Sequence, residues 1–161
     1  GVYFSPGNGC RDAICQHIRT AKKSVSICVF TISDNIIAEE ILAAHDAVAE
    51  CTVIGVHDAL KGQEPVGLVL LKDGYDIDED DLQKELVAMV RKEIGPIACF
   101  KRAVVVPRLP KTRSGKILRK LLRQIASNQE GAVPSTIDDP ASVPEIEAIM
   151  KEQGLVKEGT D

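Results

Sequence analysis

Aromatic residues are almost missing from this sequence. Trp is absent, and three Phe and two Tyr make up 3% of its 161 residues. That excludes the stacking platforms that hold single-stranded nucleic acid and leaves a core of Val, Ile, Leu and Ala. No apolar run approaches the roughly 20 residues of a membrane span, so no membrane partner is expected. The N-terminus lacks the basic, apolar and small-residue order of a signal peptide, and its leading Gly-Val-Tyr reads as a trimmed end. A strong charge of one sign is lacking as well. A net charge of −4 does not suit a chain built to coat nucleic acid. Five cysteines (Cys10, Cys15, Cys28, Cys51 and Cys99) include no CxxC pair. Cys28 and Cys51 sit in apolar runs, as small buried hydrophobes do. Cys10, Cys15 and His17 have no second cluster to complete a zinc site. Reduced thiols, no bound metal and a cytoplasmic setting are the expectation.

What is present is ordinary globular material, 44% hydrophobic and 27% charged, enough for one buried core. Strands are expected at 2–5, 24–32, 49–56, 66–72 and 103–106. The run 24–32 is continuously apolar toward its end, like a strand covered on both faces. Helices are expected at 10–23, 35–45, 78–94 and 115–127. Leu82, Leu86, Met89 and Val90 form the stripe of the third, and Ser114 is the expected cap of the fourth. The order βαβαββαβα predicts an α/β (α+β-like) fold with a single mixed sheet of about five strands, containing a ferredoxin-like split βαβ unit. An exposed edge of that sheet would allow a homo-oligomer. Residues 128–161 read as a looser acidic tail with one amphipathic stretch at 143–153.

Charge is segregated. Residues 101–123 hold nine basic side chains and no acid, whereas 73–85 hold seven acids and one Lys. Inside the basic segment lies Pro110-Lys111-Thr112-Arg113-Ser114-Gly115-Lys116-Ile117-Leu118-Arg119. Thr112, Ser114 and Gly115 allow a tight turn with exposed N–H groups. Lys116, read as sitting at a helix start, can face an anion together with them and with Arg119. The first Gly of a P-loop is missing, so this is not a nucleotide-binding loop of that kind.

The motif resembles the C-terminal lysine motif of the acyl- and aryl-CoA synthetases, in the adenylate-forming superfamily. Asp46-Ala-Val-Ala-Glu-Cys, Val56-His-Asp-Ala-Leu-Lys-Gly-Gln, Glu93-Ile-Gly-Pro-Ile-Ala-Cys-Phe-Lys and Pro134-Ser-Thr-Ile-Asp-Asp-Pro are similar to short-chain members of the acetyl- and propionyl-CoA synthetase type. The resemblance covers about residues 38–153. It implies a mobile lid whose Lys116 reaches the acid carboxylate and the α-phosphate during adenylation. ATP, AMP and CoA would be handled together with a large N-terminal domain. For this chain alone, no cofactor and no obligate partner are expected.

The front of the chain departs from that family. Val2-Tyr-Phe-Ser-Pro-Gly, Cys10-Arg-Asp-Ala-Ile, Ile18-Arg-Thr-Ala-Lys-Lys-Ser-Val and Phe30-Thr-Ile-Ser-Asp-Asn-Ile-Ile resemble the opening βαβα of phospholipase D–type proteins, over about residues 2–45. That family needs His-x-Lys-x4-Asp. His17, His45 and His57 each lack a Lys at the second following position, so phosphodiester cleavage is disfavoured. The domain reading is therefore a phospholipase D-like 1–45, a synthetase segment 46–127 merged with it, and the tail 128–161. The functional expectation is a recombined, engineered hybrid with no catalytic activity of its own. The alternatives are the lid of an ATP-dependent acyl-CoA ligase and, less favoured, a phosphodiesterase.

Overall fold

A computed structural model of the chain describes residues 8–22, 35–58, 62–75, 77–94, 100–129 and 133–157. The elements are α1 (Asn8–Thr20), α2 (Asn35–Ala43), β1 (Val48–Asp58), β2 (Gly62–Leu71), α3 (Glu79–Ile94), β3 (Arg102–Val105), α4 (Arg119–Ala126) and α5 (Ser142–Glu152). The sheet runs β1-β2-β3, with the first pair antiparallel and the second parallel. It is therefore a three-stranded mixed sheet among the described residues. The strands expected at 2–5 and 24–32 lie outside them, so neither the five-strand count nor the split βαβ unit is established.

Alternation along the strands sorts side chains onto two faces. Cys51, Val53, Val69 and Ala103 meet α1, α2 and α3, where Cys15, Ile41, Leu42, Leu82, Leu86, Val90 and Phe100 close the first core. Ile54, Val56, Val66, Leu68 and Val104 meet α4 and α5, where Leu121, Leu122, Ile125, Ile146, Met150 and Leu155 close the second. Both cores are aliphatic, as the shortage of aromatics requires. Among the described residues, Phe100 is the one large ring in either. Gly67 lets that ring approach: a Cβ there would lie 2.9 Å from Leu42 Cδ1 and 3.1 Å from the ring of Phe100.

Local chemistry explains the clearest element. The Asp78 carboxylate accepts from the N–H groups of Asp80 (3.0 Å) and Asp81 (3.2 Å), capping α3. Glu79, Asp80 and Asp81 then fill its first turn and Arg91 and Lys92 its last, each matched to the helix dipole. The β1–β2 hairpin is longer than expected, because pairing continues to Asp58↔Gly62 across the polar stretch. Gly62 adopts φ 78°, the left-handed conformation that closes such a turn. Nor is the C-terminal region loose. Ile137, Val143, Ile146, Met150 and Leu155 are all buried, and α5 with its flanks completes the second core. No helix among the described residues is long and apolar enough to cross a membrane.

Candidate functional site

The motif 110–119 folds as a small hairpin, not as a helix start. Lys111 bridges Ile117, and Thr112 bridges Ile137, both antiparallel. Thr112 N–H donates to the Lys116 carbonyl (2.9 Å) and Gly115 N–H to the Thr112 carbonyl (2.8 Å). Gly115 takes φ 81°, which an L side chain rarely adopts. Thr112 Oγ1 accepts the Lys116 N–H (3.1 Å) and shares a 2.9 Å hydrogen bond with Ser114 Oγ.

Two expectations change as a result. Ser114 does not cap a helix: α4 begins at Arg119, and its cap position, Leu118, has no side-chain hydrogen bond. Lys116 therefore stands in the hairpin before α4, and its N–H is spent on Thr112. The helix-terminus argument for anion binding lapses. What replaces it is a rigid turn that presents the lysine.

The turn is fastened along one side to the segment before α5. Arg113 N–H donates to the Thr136 carbonyl (3.0 Å), and Asp138 N–H donates to the Lys111 carbonyl (2.9 Å). Arg108 forms ion pairs with Asp139 and Glu145. The hydrogen bond that Arg108 donates to Glu145, opposed by some desolvation, raises the Arg108 pKa further above its already high value. Lys111 Nζ reaches Glu50 Oε1 on β1 at 2.6 Å.

The nine cations of the basic segment thus divide. Arg102 donates to Gln153, and Lys101, Arg108, Lys111 and Arg119 pair with acids. Arg113, Lys116, Lys120 and Arg123 are exposed, with no ion pair among the described residues. Of the expected anion group, the structure brings Ser114, Gly115 and Lys116 together on one exposed turn. Arg119 sits at the start of α4 with its charge compensated by Glu39.

Glu39, Glu50, Asp139 and Glu145 were not singled out by sequence reasoning, and Thr112 was read only as a turn residue. The spacing Thr-x-x-Gly-Lys carried a signal for Thr112. Glu39 lies 80 residues from Arg119 and carried none. Near it, burial first, and the nearby carboxylates second, push the Cys51 thiol from 9.0 up to about 12. Among the described residues no cluster of His, Cys, Asp and Glu could hold a metal ion.

This two-faced domain with its lysine hairpin belongs to a known class. Residues 38–116 match the AMP-binding enzyme C-terminal domain, and the chain carries the C-terminal domain of an acyl-CoA synthetase. An uncharacterized protein of Pseudomonas aeruginosa is 62% identical over 113 residues, 70% of this chain and 18% of that protein. Acyl-CoA synthetase short-chain family member B, mitochondrial, of Dictyostelium discoideum is 51% identical over 109 residues, 68% of this chain and 16% of that protein. The crystal structure of a Brucella canis acyl-CoA synthetase superposes with a TM-score of 0.50 at 37% identity, over 54% of this chain and 16% of the other. The chain spans less than a fifth of the length of these curated relatives.

These matches overturn the reading of the chain as an engineered hybrid without activity. They converge on one family, and they lend no support to a phospholipase D-like part. The resemblance over 2–45 rested on four short sequence stretches, and none of these matches supports it.

Proposed function

We propose that this chain is the lid of an ATP-dependent acyl-CoA ligase for short-chain acids of the acetate and propionate type. Lys116 is its working residue. Attack of a carboxylate on the α-phosphate of ATP brings two anions together. An ammonium held between them offsets the repulsion and stabilises the charge of the transition state. The single observation that carries this reading is the exposed Lys116 on a hairpin pinned at both ends, with its Nζ uncommitted among the described residues. The substrate class draws on the names of two relatives: the short-chain family member B above, and an acetyl-coenzyme A synthetase of Pyrobaculum aerophilum, 45% identical over 114 residues.

In this scheme the partner is an N-terminal domain that binds ATP and the acid, supplied upstream or as a separate chain. The experiment is reconstitution. An N-terminal domain of a short-chain acyl-CoA synthetase is assayed for acetyl- and propionyl-CoA formation with and without this chain. ATP-dependent product that rises with added chain supports the proposal. Product unaffected by the chain, at saturating concentrations of both, rejects it.

A further inference from the structure

The Glu39 carboxylate is shared among three elements. It belongs to α2, and its Oε2 accepts from Thr52 Oγ1 (3.1 Å) and from the Val53 N–H (3.1 Å), both on β1. The same oxygen accepts from Arg119 Nε (3.3 Å), while its partner oxygen is ion-paired with the other arm of that guanidinium. Its main-chain carbonyl accepts from Cys51 Sγ (3.3 Å). The carboxyl side chain is only 15% exposed and Thr52 is wholly buried. A shielded carboxylate of this kind is costly unless its lone pairs are filled, and here they are.

The placement has a consequence for the lysine hairpin. β1 is an outer strand of the described sheet, with β2 on one side only. Glu39 takes up a main-chain donor on the unpaired side of β1. Through Arg119 it reaches the face where α4 packs. Arg119 is the first residue of α4, three positions after Lys116, and this helix has no side-chain cap of its own. The other tie between the hairpin and β1 is Lys111 with Glu50. The hairpin is therefore tied by one ion pair at each end, to Glu50 on β1 and to Glu39 on α2, and Glu39 is the more shielded of the two acids (15% against 39% exposed).

We infer that Glu39 is a positioning residue for Lys116. Through Arg119 it fixes the exit of the hairpin, and so fixes where the ammonium is presented. This rests on the proposed role of Lys116 for its catalytic consequence, but its structural part stands alone. Catalysis of this kind is sensitive to placement, because a displacement of about 1 Å can cost roughly a hundredfold.

The test uses Glu39→Gln, which keeps the shape and one acceptor oxygen but removes the charge. In the chain alone, amide hydrogen exchange is followed at Thr112, Gly115 and Lys116, and at Val69, Val104 and Val106 in the sheet. The expected result is exchange faster by about tenfold or more in the hairpin, the scale of one charge-assisted hydrogen bond, with sheet amides unchanged. Equal acceleration everywhere would mean a general structural role, and no acceleration in the hairpin would mean no role; either overturns the inference. In the reconstituted enzyme, ATP–pyrophosphate exchange should fall while transfer from a supplied acyl-adenylate to CoA is retained. Loss of both steps in parallel, or of neither, contradicts positioning. A wild-type chain that fails to reconstitute activity counts against the proposed function, whereas the exchange pattern still decides the inference about Glu39.

Discussion

The two faces of the sheet are built from different stretches of sequence, and they do different work. The face under α1, α2 and α3 draws on Ile14 and Cys15, before the family match begins, and contains Phe100, the only large buried ring among the described residues. The face under α4 and α5 is wholly aliphatic and carries the lysine hairpin, whose backbone is tied into the segment before α5. One face is a support. The other is a support with a tool mounted on it. The Glu39–Arg119 ion pair joins α2 on the first face to α4 on the second, and Lys111 of the hairpin pairs with Glu50 on β1 itself. Rigidity at Lys116 is thus a property of both faces together, although the motif occupies ten residues of one.

Truncation of the cores should give the largest effects. Phe100→Ala on the first face should cost about 3–5 kcal/mol, and Leu122→Ala on the second about 2–5 kcal/mol, since both side chains are essentially fully buried. Chemical denaturation of the two variants tests whether the faces form one unit. A single transition in each, shifted by these amounts, is expected. Two transitions, with only one moving in each variant, would break the comparison.

Gly67→Val sharpens it. The added Cβ overlaps Leu42 and Phe100, so a loss of roughly 1–3 kcal/mol is expected from overpacking. Phe100→Leu in the same chain should recover part of that loss. No recovery would mean that the ring is not what limits the site.

Much of this was legible in the sequence, and the parts that were not have physical reasons. The α3 helix was readable because cap, charge bias and apolar stripe all agree: Asp78, Glu79–Asp81, and Leu82, Leu86 and Val90. The start of α4 was misread because Ser114-Gly115-Lys116 has the composition of a helix entry. In the fold the Thr112 hydroxyl takes the N–H that a helix would have left open. The amphipathic stretch at 143–153 was legible and forms α5, but the region around it was read as loose because its acids dominate its composition, although Ile137 and Leu155 are buried. The pairing of Glu39 with Arg119 depends on β1 passing between α2 and α4, which no local pattern reveals.

A smaller effect concerns Cys51. Its thiol is held neutral in the fold, with its pKa raised from 9.0 to about 12. Between these values the unfolded chain gives up a proton that the folded chain keeps, so stability falls as pH rises from about 9 toward about 12. The contribution is complete below pH 9. Denaturant midpoints measured across this window should decline for the wild type and decline less for Cys51→Ala. Equal slopes would show that the thiol is not shielded. The smallest effect should come from Arg19, whose pair with Glu40 ties α1 to α2 at the surface. Arg19→Ala should lower the midpoint only slightly, and added salt should remove the difference from wild type.

The most direct measurement is ATP–pyrophosphate exchange by an N-terminal synthetase domain combined with this chain, wild type against Lys116→Ala. Acyl transfer to CoA from a supplied acyl-adenylate is followed in parallel. The account predicts that the variant folds, loses exchange by at least about a hundredfold, as groups that stabilise transition-state charge do, and keeps the transfer step. Undiminished exchange with Lys116→Ala would contradict it.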